Sequence, residues 1–185
     1  MTPLLPVLIA VGGTLLMLLG LGGVLLACYR KVEPGKALVI TTPRPEPLVS
    51  FTSAVVLPIL HRAELLDMTV KVIDVDCRGA DALTFAGGER VDLRLKFFVR
   101  VNHTVEDVLK VARRIGCTRA SDLAGVRDLF SASFLAAAKT VACRFDASQV
   151  EQRHGEIIDA IVEEIGRDLD GFILDQVVVD FSSGR

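Results

Sequence analysis

The stretch VDLRLKFFVRVN, from Val91 to Asn102, alternates apolar and polar side chains along nearly its whole length. A β-strand has a side-chain period of two, so this alternation predicts a strand with one buried and one solvated face. Phe98 breaks the rule, because its ring falls on the polar face. Upstream, Gly87 and Gly88 are a hairpin signal that joins this strand to the run at 82–86. The sequence therefore predicts a half-buried antiparallel sheet.

A second strand signal lies at residues 65–77. Its apolar positions fall on even numbers up to Val72 and on odd numbers from Ile73 onward. Because a strand keeps one parity along each face, this slip predicts a β-bulge or bend near Val72. Asp74 and Asp76 share one face, where we expect solvated carboxylates rather than an acid/base pair. Two shorter strands are predicted beside a proline-rich break, at 37–42 and 48–51.

The apolar period changes from two to that of a helix after Asn102. Thr104 is the expected N-cap of a first helix that stops near Gly116, and Ser121 is the expected cap of a second. A third helix is predicted from 146–148 to Leu169, followed by a closing strand. The predicted inward side chains of the second helix are Leu123, Val126, Leu129, Phe130 and Phe134.

This order of elements predicts an α+β fold. An N-terminal transmembrane helix at 1–29 precedes a β-rich antiparallel lobe at 30–103. An α/β lobe at 104–181 follows, with three helices and a closing strand. Residues 182–185 are a short tail, and the sequence shows no coiled-coil heptads after the closing strand.

The first 29 residues carry no charged side chain. The apolar run from Leu4 to Cys28 reaches ~37 Å as a helix, which is enough to cross a ~30 Å hydrocarbon core. One alternative is a cleaved signal peptide, which needs a basic start and a shorter core. Another is a lipoprotein processing site ending at Cys28. Arg30, Lys31 and Lys36 follow the run, so the positive-inside rule predicts a single-pass cell-membrane protein with its N-terminus outside and its domain in the cytoplasm.

Small residues recur on one face of the predicted anchor. Gly13, Gly20 and Ala27 are spaced by seven, and Gly23 forms a small-xxx-small pair with Ala27. Such a face allows close helix packing in lipid, although glycine is common in membrane helices for other reasons. Cys28 lies at the predicted interface and is a candidate for acylation, with a plain interfacial cysteine as the alternative.

Composition points away from several functions. The net charge is −2, with one Tyr and no Trp, so we expect no nucleic-acid partner. The cysteines form no Cys-x-x-Cys pair and the histidines no metal spacing, so we expect reduced thiols and neither metal nor cofactor. The sequence also lacks a Gly-x-Ser-x-Gly elbow, a phosphate loop and a dinucleotide fingerprint. The expectation is a protein without catalytic residues.

Several short motifs, in order, resemble the SPFH or band 7 family, which includes stomatin, prohibitin, flotillin, HflK and HflC. The closest resemblance is to flotillin and its bacterial YqiK-like branch. The motifs extend over nearly the whole chain: YRKVEPGKALVI at 29–40, PILHRAE at 58–64, FFVRVN at 97–102, EDV at 106–108, GC at 116–117 and GRDLDG at 166–171.

The resemblance implies an SPFH domain and a membrane-anchored, homo-oligomeric scaffold that organises a membrane microdomain. The implied partners are membrane lipids, further copies of the chain, and an NfeD-like protein or membrane protease. Flotillin-like proteins continue into a long helical region that this sequence lacks, which puts closed assemblies in doubt. The rival hypothesis is an accessory regulator bound to a membrane protease or other membrane enzyme, without self-assembly.

A laterally packed assembly needs contact residues, and the sequence offers candidates. Phe98 is one, because it is an apolar ring on a polar strand face. Acidic and basic residues of the third helix are others, and they are expected to pair with arginines of a neighbouring copy. The alternative is an ordinary solvated surface. The charged candidates are Arg113, Arg114, Glu163, Glu164 and Arg167, with Arg119 and Arg127 as further arginines.

Overall fold

The computed structural model describes residues 4–42, 47–56, 61–150 and 152–181, with side chains described from residue 11 onward except at 24, 25, 149 and 181. Most of the predicted proline-rich break and the whole predicted tail lie outside these residues. The chain forms two compact units, Met1–Glu64 and Leu65–Arg185. The predicted lobes at 30–103 and 104–181 stay a prediction.

The first unit begins with a long apolar helix, α1 (Leu4–Cys28). Its stretch Val11–Cys28 has a mean hydropathy of 2.1, and leucines are exposed along it. In the part of the chain that the structure describes, α1 is the one helix long and apolar enough to cross a membrane. An apolar helix is thus confirmed where the sequence predicts one, and its crossing of a membrane stays a prediction.

Five strands follow α1 in the described part of this region: β1 (Tyr29–Lys31), β2 (Lys36–Thr41), β3 (Leu48–Ser50), β4 (Ser53–Val55) and β5 (Arg62–Asp67), the last of which continues into the second unit at Leu65. They form a two-stranded ribbon, β1-β4, and a three-stranded sheet in the order β3-β2-β5. A small apolar core holds this unit together, and it consists of Val32, Leu38, Ile40 and Val56, with Ala54 and Ala63 packed against it.

The second unit is built on an antiparallel sheet in the order β10-β11-β9-β6. Its strands are β6 (Lys71–Cys77), β9 (Leu93–Val101), β10 (Asp168–Leu169) and β11 (Phe172–Phe181). A short hairpin of β7 (Leu83–Thr84) and β8 (Arg90–Val91) precedes β9. The predicted alternation is confirmed, because every second residue of β9 is buried.

Four helices are present in the described residues of the second unit: α2 (Val105–Arg114), α3 (Cys117–Ser121), α4 (Leu123–Ala142) and α5 (His154–Ile165). The longest, α4, packs on the buried face of the sheet. There Phe134 stacks on Phe97 with ring centroids 4.3 Å apart, and Phe130 meets Phe172 edge-on at 5.2 Å. The predicted α+β fold with antiparallel sheets is confirmed.

The single strand predicted at 65–77 is wrong. The chain leaves β5 after Asp67 and enters β6 at Lys71, and the two strands belong to different sheets. The Asp67 carboxylate accepts a hydrogen bond from Thr69 N at 2.9 Å, which stabilises a turn at the break. The slip in parity therefore marks a turn, and the pairing of β6 with β9 is regular through Val72. The one irregularity recorded between β9 and β11 is a register shift between Leu174 and Gln176.

Ser121 is not a helix cap, contrary to prediction. It ends the short helix α3, which the sequence analysis missed, and its hydroxyl donates to Cys117 O at 2.7 Å. The Ser121 hydroxyl oxygen also accepts a hydrogen bond from Asp67 N at 2.9 Å. Asp122 caps α4 instead, accepting from Gly125 N at 3.1 Å. Two residues predicted to face inward, Leu123 and Leu129, are exposed.

The third helix is shorter than predicted. A 3₁₀ turn occupies Ala147–Gln149, and α5 ends at Ile165 because Gly166 takes a left-handed φ of 80°. Residues 168 and 169 then pair with the start of β11 as a strand. Three predicted helices therefore become four, and the predicted cap Thr104 is confirmed, because its hydroxyl accepts from Asp107 N at 3.2 Å.

Candidate membrane-interface and assembly surfaces

Helix α1 continues directly into β1, and β4 pairs with β1 beside the end of the helix. Val56 N donates to Cys28 O at 2.9 Å, and Val32 N donates to Thr52 O at 2.9 Å. Between these bonds β1 and β4 pair in antiparallel register. We call this structure, residues 28–32 with 52–56, the interface ribbon. It fixes the folded unit to the last turn of the apolar helix through backbone hydrogen bonds.

The interface ribbon presents an exposed amphipathic pair beside the helix end. Tyr29 lies opposite Val55, and the two are 54% and 50% exposed. Tyrosine is enriched at membrane–water boundaries, where its ring sits at headgroup depth and its hydroxyl reaches water. The register brings Val55 to the level of Tyr29, although the two are far apart in sequence. Tyr29 was not among the residues predicted from the sequence, although the preference of tyrosine for the membrane–water boundary is the signal that indicates it.

Two of the three predicted flanking cations have no ion-pair partner among the described residues of the chain. Arg30 and Lys31 are exposed in β1, opposite Ala54 and Ser53. Lys36 instead pairs with Glu33 at 2.7 Å across the turn. The hydrogen bond from Lys36 holds the pKa of the Glu33 carboxyl below its usual value. Arg30 and Lys31 therefore carry most of the positive charge next to the helix.

The predicted packing face of the anchor is open. Gly13, Gly20, Gly23 and Ala27 are exposed, and a Cβ placed on any of the three glycines would meet nothing within 4 Å. The space that a neighbouring helix needs is thus present, while the association itself stays a prediction. Cys28 is a free thiol and only 8% exposed. Its acylation also stays a prediction.

In the second unit, the sheet face away from α4 carries its charges strand by strand. Among the charged side chains of this outer face, those of β9 are all cations, and those of β6 and β11 are all carboxylates. Lys96 pairs with Asp180 at 2.5 Å, Arg100 with Asp175 at 2.7 Å, and Arg94 lies 3.9 Å from Asp76. Asp76 also accepts hydrogen bonds from Arg78, which holds the pKa of that carboxyl below its usual value. Asp74 and Asp76 are exposed, as expected for a solvated face.

Phe98 lies in the middle of this outer face and is half-buried. It sits between Val72 of β6 and Gln176 of β11 in the register. Val72 is itself 37% exposed, so the two side chains form a small apolar island among the ion pairs. The position suits a contact residue, and that role stays a prediction.

The predicted charged contacts fall into two groups. Arg114 and Glu164 already have partners within the chain, since Arg114 lies 2.6 Å from Asp170 and Glu164 lies 2.7 Å from Arg144. The other candidates are exposed, and no ion pair to them is recorded among the described residues: Arg113, Arg119, Arg127, Glu163 and Arg167. Ion pairs within the chain therefore neutralise two of the charged residues that were predicted to contact a neighbouring copy.

A polar cluster surrounds Asp107 at the start of α2, and only its Thr104 cap was predicted from the sequence. Asp107 accepts hydrogen bonds from Asn102 at 2.6 Å, from Thr104 at 2.7 Å and from Lys110 at 3.1 Å. The Thr104 hydroxyl, followed by Asn102 and Lys110, lowers the pKa of the Asp107 carboxyl, against the opposing effect of burial. This cluster joins the end of β9 to the start of α2, and all its donors lie within the chain, so its role is structural.

The described residues hold no cluster of three or more His, Cys, Asp or Glu side chains able to bind a metal ion. Cys77 and Cys117 are buried and Cys143 is exposed, all as free thiols. Burial raises the pKa of the Cys77 thiol to about 11, so this group is a poor nucleophile at neutral pH. None of these features defines a reactive site.

The chain is thus an α+β protein of two units, and in the first unit a hydrogen-bonded ribbon joins the apolar helix to the strands. No family model matches it. It is similar to the flotillin family inner membrane protein YqiK of Escherichia coli (strain K12), with 25% identity over 141 residues. The match covers 76% of this chain and 25% of that protein, so the chain spans about a quarter of its relative's length. The similarity supports a distant flotillin-like relationship.

Proposed function

We propose that this chain is a flotillin-like, membrane-anchored scaffold that self-associates and organises a membrane microdomain with its resident proteins. The observation that carries the proposal is the interface ribbon. A scaffold has to keep its folded part at the bilayer, and backbone hydrogen bonds from Val56 to Cys28 and from Val32 to Thr52 fix the first unit to the end of the apolar helix.

The finer parts of this proposal are the SPFH layout of the domain, its place in the cytoplasm with the N-terminus outside, and its partners. Arg30 and Lys31 support the orientation, because cations next to a membrane helix favour the cytoplasmic side. The proposed partners are lipids, further copies of the chain, and an NfeD-like protein or a membrane protease. The proposed role needs no catalytic residue, metal or cofactor.

One observation favours a second function, an accessory regulator that binds a membrane enzyme without assembling. Arg114 and Glu164 are neutralised within the chain by Asp170 and Arg144. Fewer charges then remain to set the register between copies. In that case the exposed cations Arg113 and Arg167 would face a different protein.

The experiment that separates the two functions is the mass of the full chain extracted with its surrounding native lipid, measured by light scattering after sizing. A scaffold gives particles of many copies. A monomer, or a complex with one other protein, contradicts self-assembly and favours the regulator.

Charge reversal sharpens this measurement. The variant Arg113→Glu with Arg167→Glu changes two exposed cations of the second unit. The matched control is Arg62→Glu, an exposed cation of β5 whose side chain is 83% exposed. A scaffold that uses the predicted contacts loses mass in the double variant and keeps it in the control. Equal masses in all three proteins contradict these contacts while leaving self-assembly intact.

A further inference from the structure

One edge of strand β11 has no paired strand beyond Ile173 among the described residues. Its one side pairs with β9 from Phe172 to Phe181, whereas its other side pairs with β10 only at Phe172 and Ile173. Leu174 N donates to Arg167 O at 3.3 Å, and beyond Leu174 no strand of the described residues pairs with this edge. We call residues 175–180 the open edge. An open edge presents backbone donors and acceptors that another strand can use.

The charges around the open edge indicate which kind of strand could pair with it. Across the outer face, the order is acidic on β6, basic on β9 and acidic on β11, with ion pairs of 2.5 Å and 2.7 Å from β9 to Asp180 and Asp175. A strand added beside β11 would continue this alternation if its outer side chains were cations. Opposite charges on neighbouring strands stabilise pairing, and like charges placed opposite each other destabilise it.

The same rule disfavours a second copy as the occupant. The charged residues of β11 are Asp175 and Asp180, so the β11 strand of a second copy would add carboxylates beside this edge and no cation of its own. Pairing with β6 of another copy adds Asp74 and Asp76 on that face.

The inner side of the open edge is apolar. Val177 is buried, and Val179 is half-buried in a small pocket with His154, Ile157 and Ile161 of α5. A strand added here would continue the sheet, with every second side chain on the same side as Val177 and Val179 and the others on the side of the carboxylates. We propose that the open edge of β11 binds an extended peptide segment of a partner protein, in which cationic residues alternate with apolar ones. This inference does not depend on the proposed scaffold function.

The probe that tests it is the fluorescent peptide Thr-Arg-Val-Lys-Val-Arg-Val-Lys-Thr, added to the full chain in nanodiscs of uncharged lipid. Binding is read by anisotropy. We expect saturable binding, and about tenfold weaker binding when glutamate replaces the peptide's cations. We also expect slower amide exchange at residues 176–180 when the peptide is bound. Absence of binding overturns the proposal.

Methylated peptides separate strand addition from charge attraction without changing the protein. Alternate amides of an added strand face the protein, so N-methylation of one alternate set should weaken binding about tenfold and that of the other set should matter far less. If neither set matters, charge alone holds the peptide and the proposal fails.

Two protein variants locate the site. Asp175→Asn with Asp180→Asn should weaken binding about tenfold, whereas Asp74→Asn with Asp76→Asn, the same change on β6, should leave it within about twofold. Equal losses in the two variants overturn the assignment to β11. Amide protection of the open edge that rises with protein concentration, without peptide, identifies a second copy as the occupant and also overturns it.

Discussion

The ring of Phe97, in the centre of β9, stacks on that of Phe134 in α4 with centroids 4.3 Å apart. Both residues have no measurable exposure. Truncation of a buried phenylalanine leaves a cavity and costs about 3–5 kcal/mol. We expect Phe134→Ala to lower the free energy of unfolding by that amount, measured with denaturant on the full chain in detergent. Phe98→Ala is the matched control, because Phe98 lies on the outer face and should cost about 1 kcal/mol or less. Equal losses would contradict the packing.

The close approach of α3 to α4 depends on a glycine. A Cβ on Gly125 would lie 2.4 Å from Arg119 O, a distance that real side chains do not adopt. Gly125→Ala should therefore shift the backbone and destabilise the second unit by about 1–3 kcal/mol. Gly155→Ala is the control, since Gly155 is an exposed residue of α5 with open space around its Cα. There alanine should stabilise by about 0.5–1 kcal/mol, so thermal unfolding should move in opposite directions for the two variants.

Asp107 makes stability depend on pH. Its pKa is lowered in the folded protein, first by the Thr104 hydroxyl and then by Asn102 and Lys110. A carboxyl with a depressed folded pKa contributes its full stability above the unfolded value, about 3.9, and loses it as the pH falls through the folded value. Asp107→Asn should cost about 1–2 kcal/mol at pH 7 and progressively less below about pH 4.

The control for that experiment is Glu106→Gln. Glu106 is the neighbouring residue, its side chain is 83% exposed, and it lies 3.7 Å from the same Lys110. Denaturant unfolding from pH 3 to pH 8 should show a gap between the native chain and the Asp107 variant that closes at acid pH. A gap that is constant with pH would show that Asp107 acts through packing rather than through its charge.

Local patterns in the sequence predicted the elements that depend on local physics. The alternation in β9 and the Thr104 cap follow from a strand's period and from a single hydroxyl, and both are present. The break between β5 and β6 was not predictable in the same way. The parity slip near Val72 is real, but its meaning depends on which sheet each strand joins, and that is decided by partners distant in the chain.

The end of α5 and the contact residues illustrate the same limit. The apolar spacing continued to Leu169, yet Leu169 pairs with Phe172 as a strand once Gly166 has stopped the helix. Likewise, the sequence showed Arg114 and Glu164 as available charges. Their partners, Asp170 and Arg144, reach them through tertiary structure, so no spacing rule would have revealed the pairs.

The proposed orientation is testable through the cysteines. Cys143 is exposed, whereas Cys28, Cys77 and Cys117 are buried. A membrane-impermeant maleimide should leave the chain unlabelled in intact cells and label Cys143 once the membrane is permeabilised. Cys143→Ser is the control and should abolish the signal, since a buried thiol such as Cys77, with a pKa of about 11, reacts slowly. Labelling in intact cells would place the second unit outside and contradict the orientation drawn from Arg30 and Lys31.

The depth of the interface ribbon is testable because the chain has no tryptophan. Val55→Trp places a single fluorophore opposite Tyr29, at the end of the apolar helix. If the ribbon lies at the headgroup level, emission should be blue-shifted and quenched by lipids brominated near the interface. Val105→Trp is the matched control, a similarly exposed valine, 48%, at the start of α2. Equal quenching at both sites, or none at residue 55, would show that the ribbon does not set the membrane boundary.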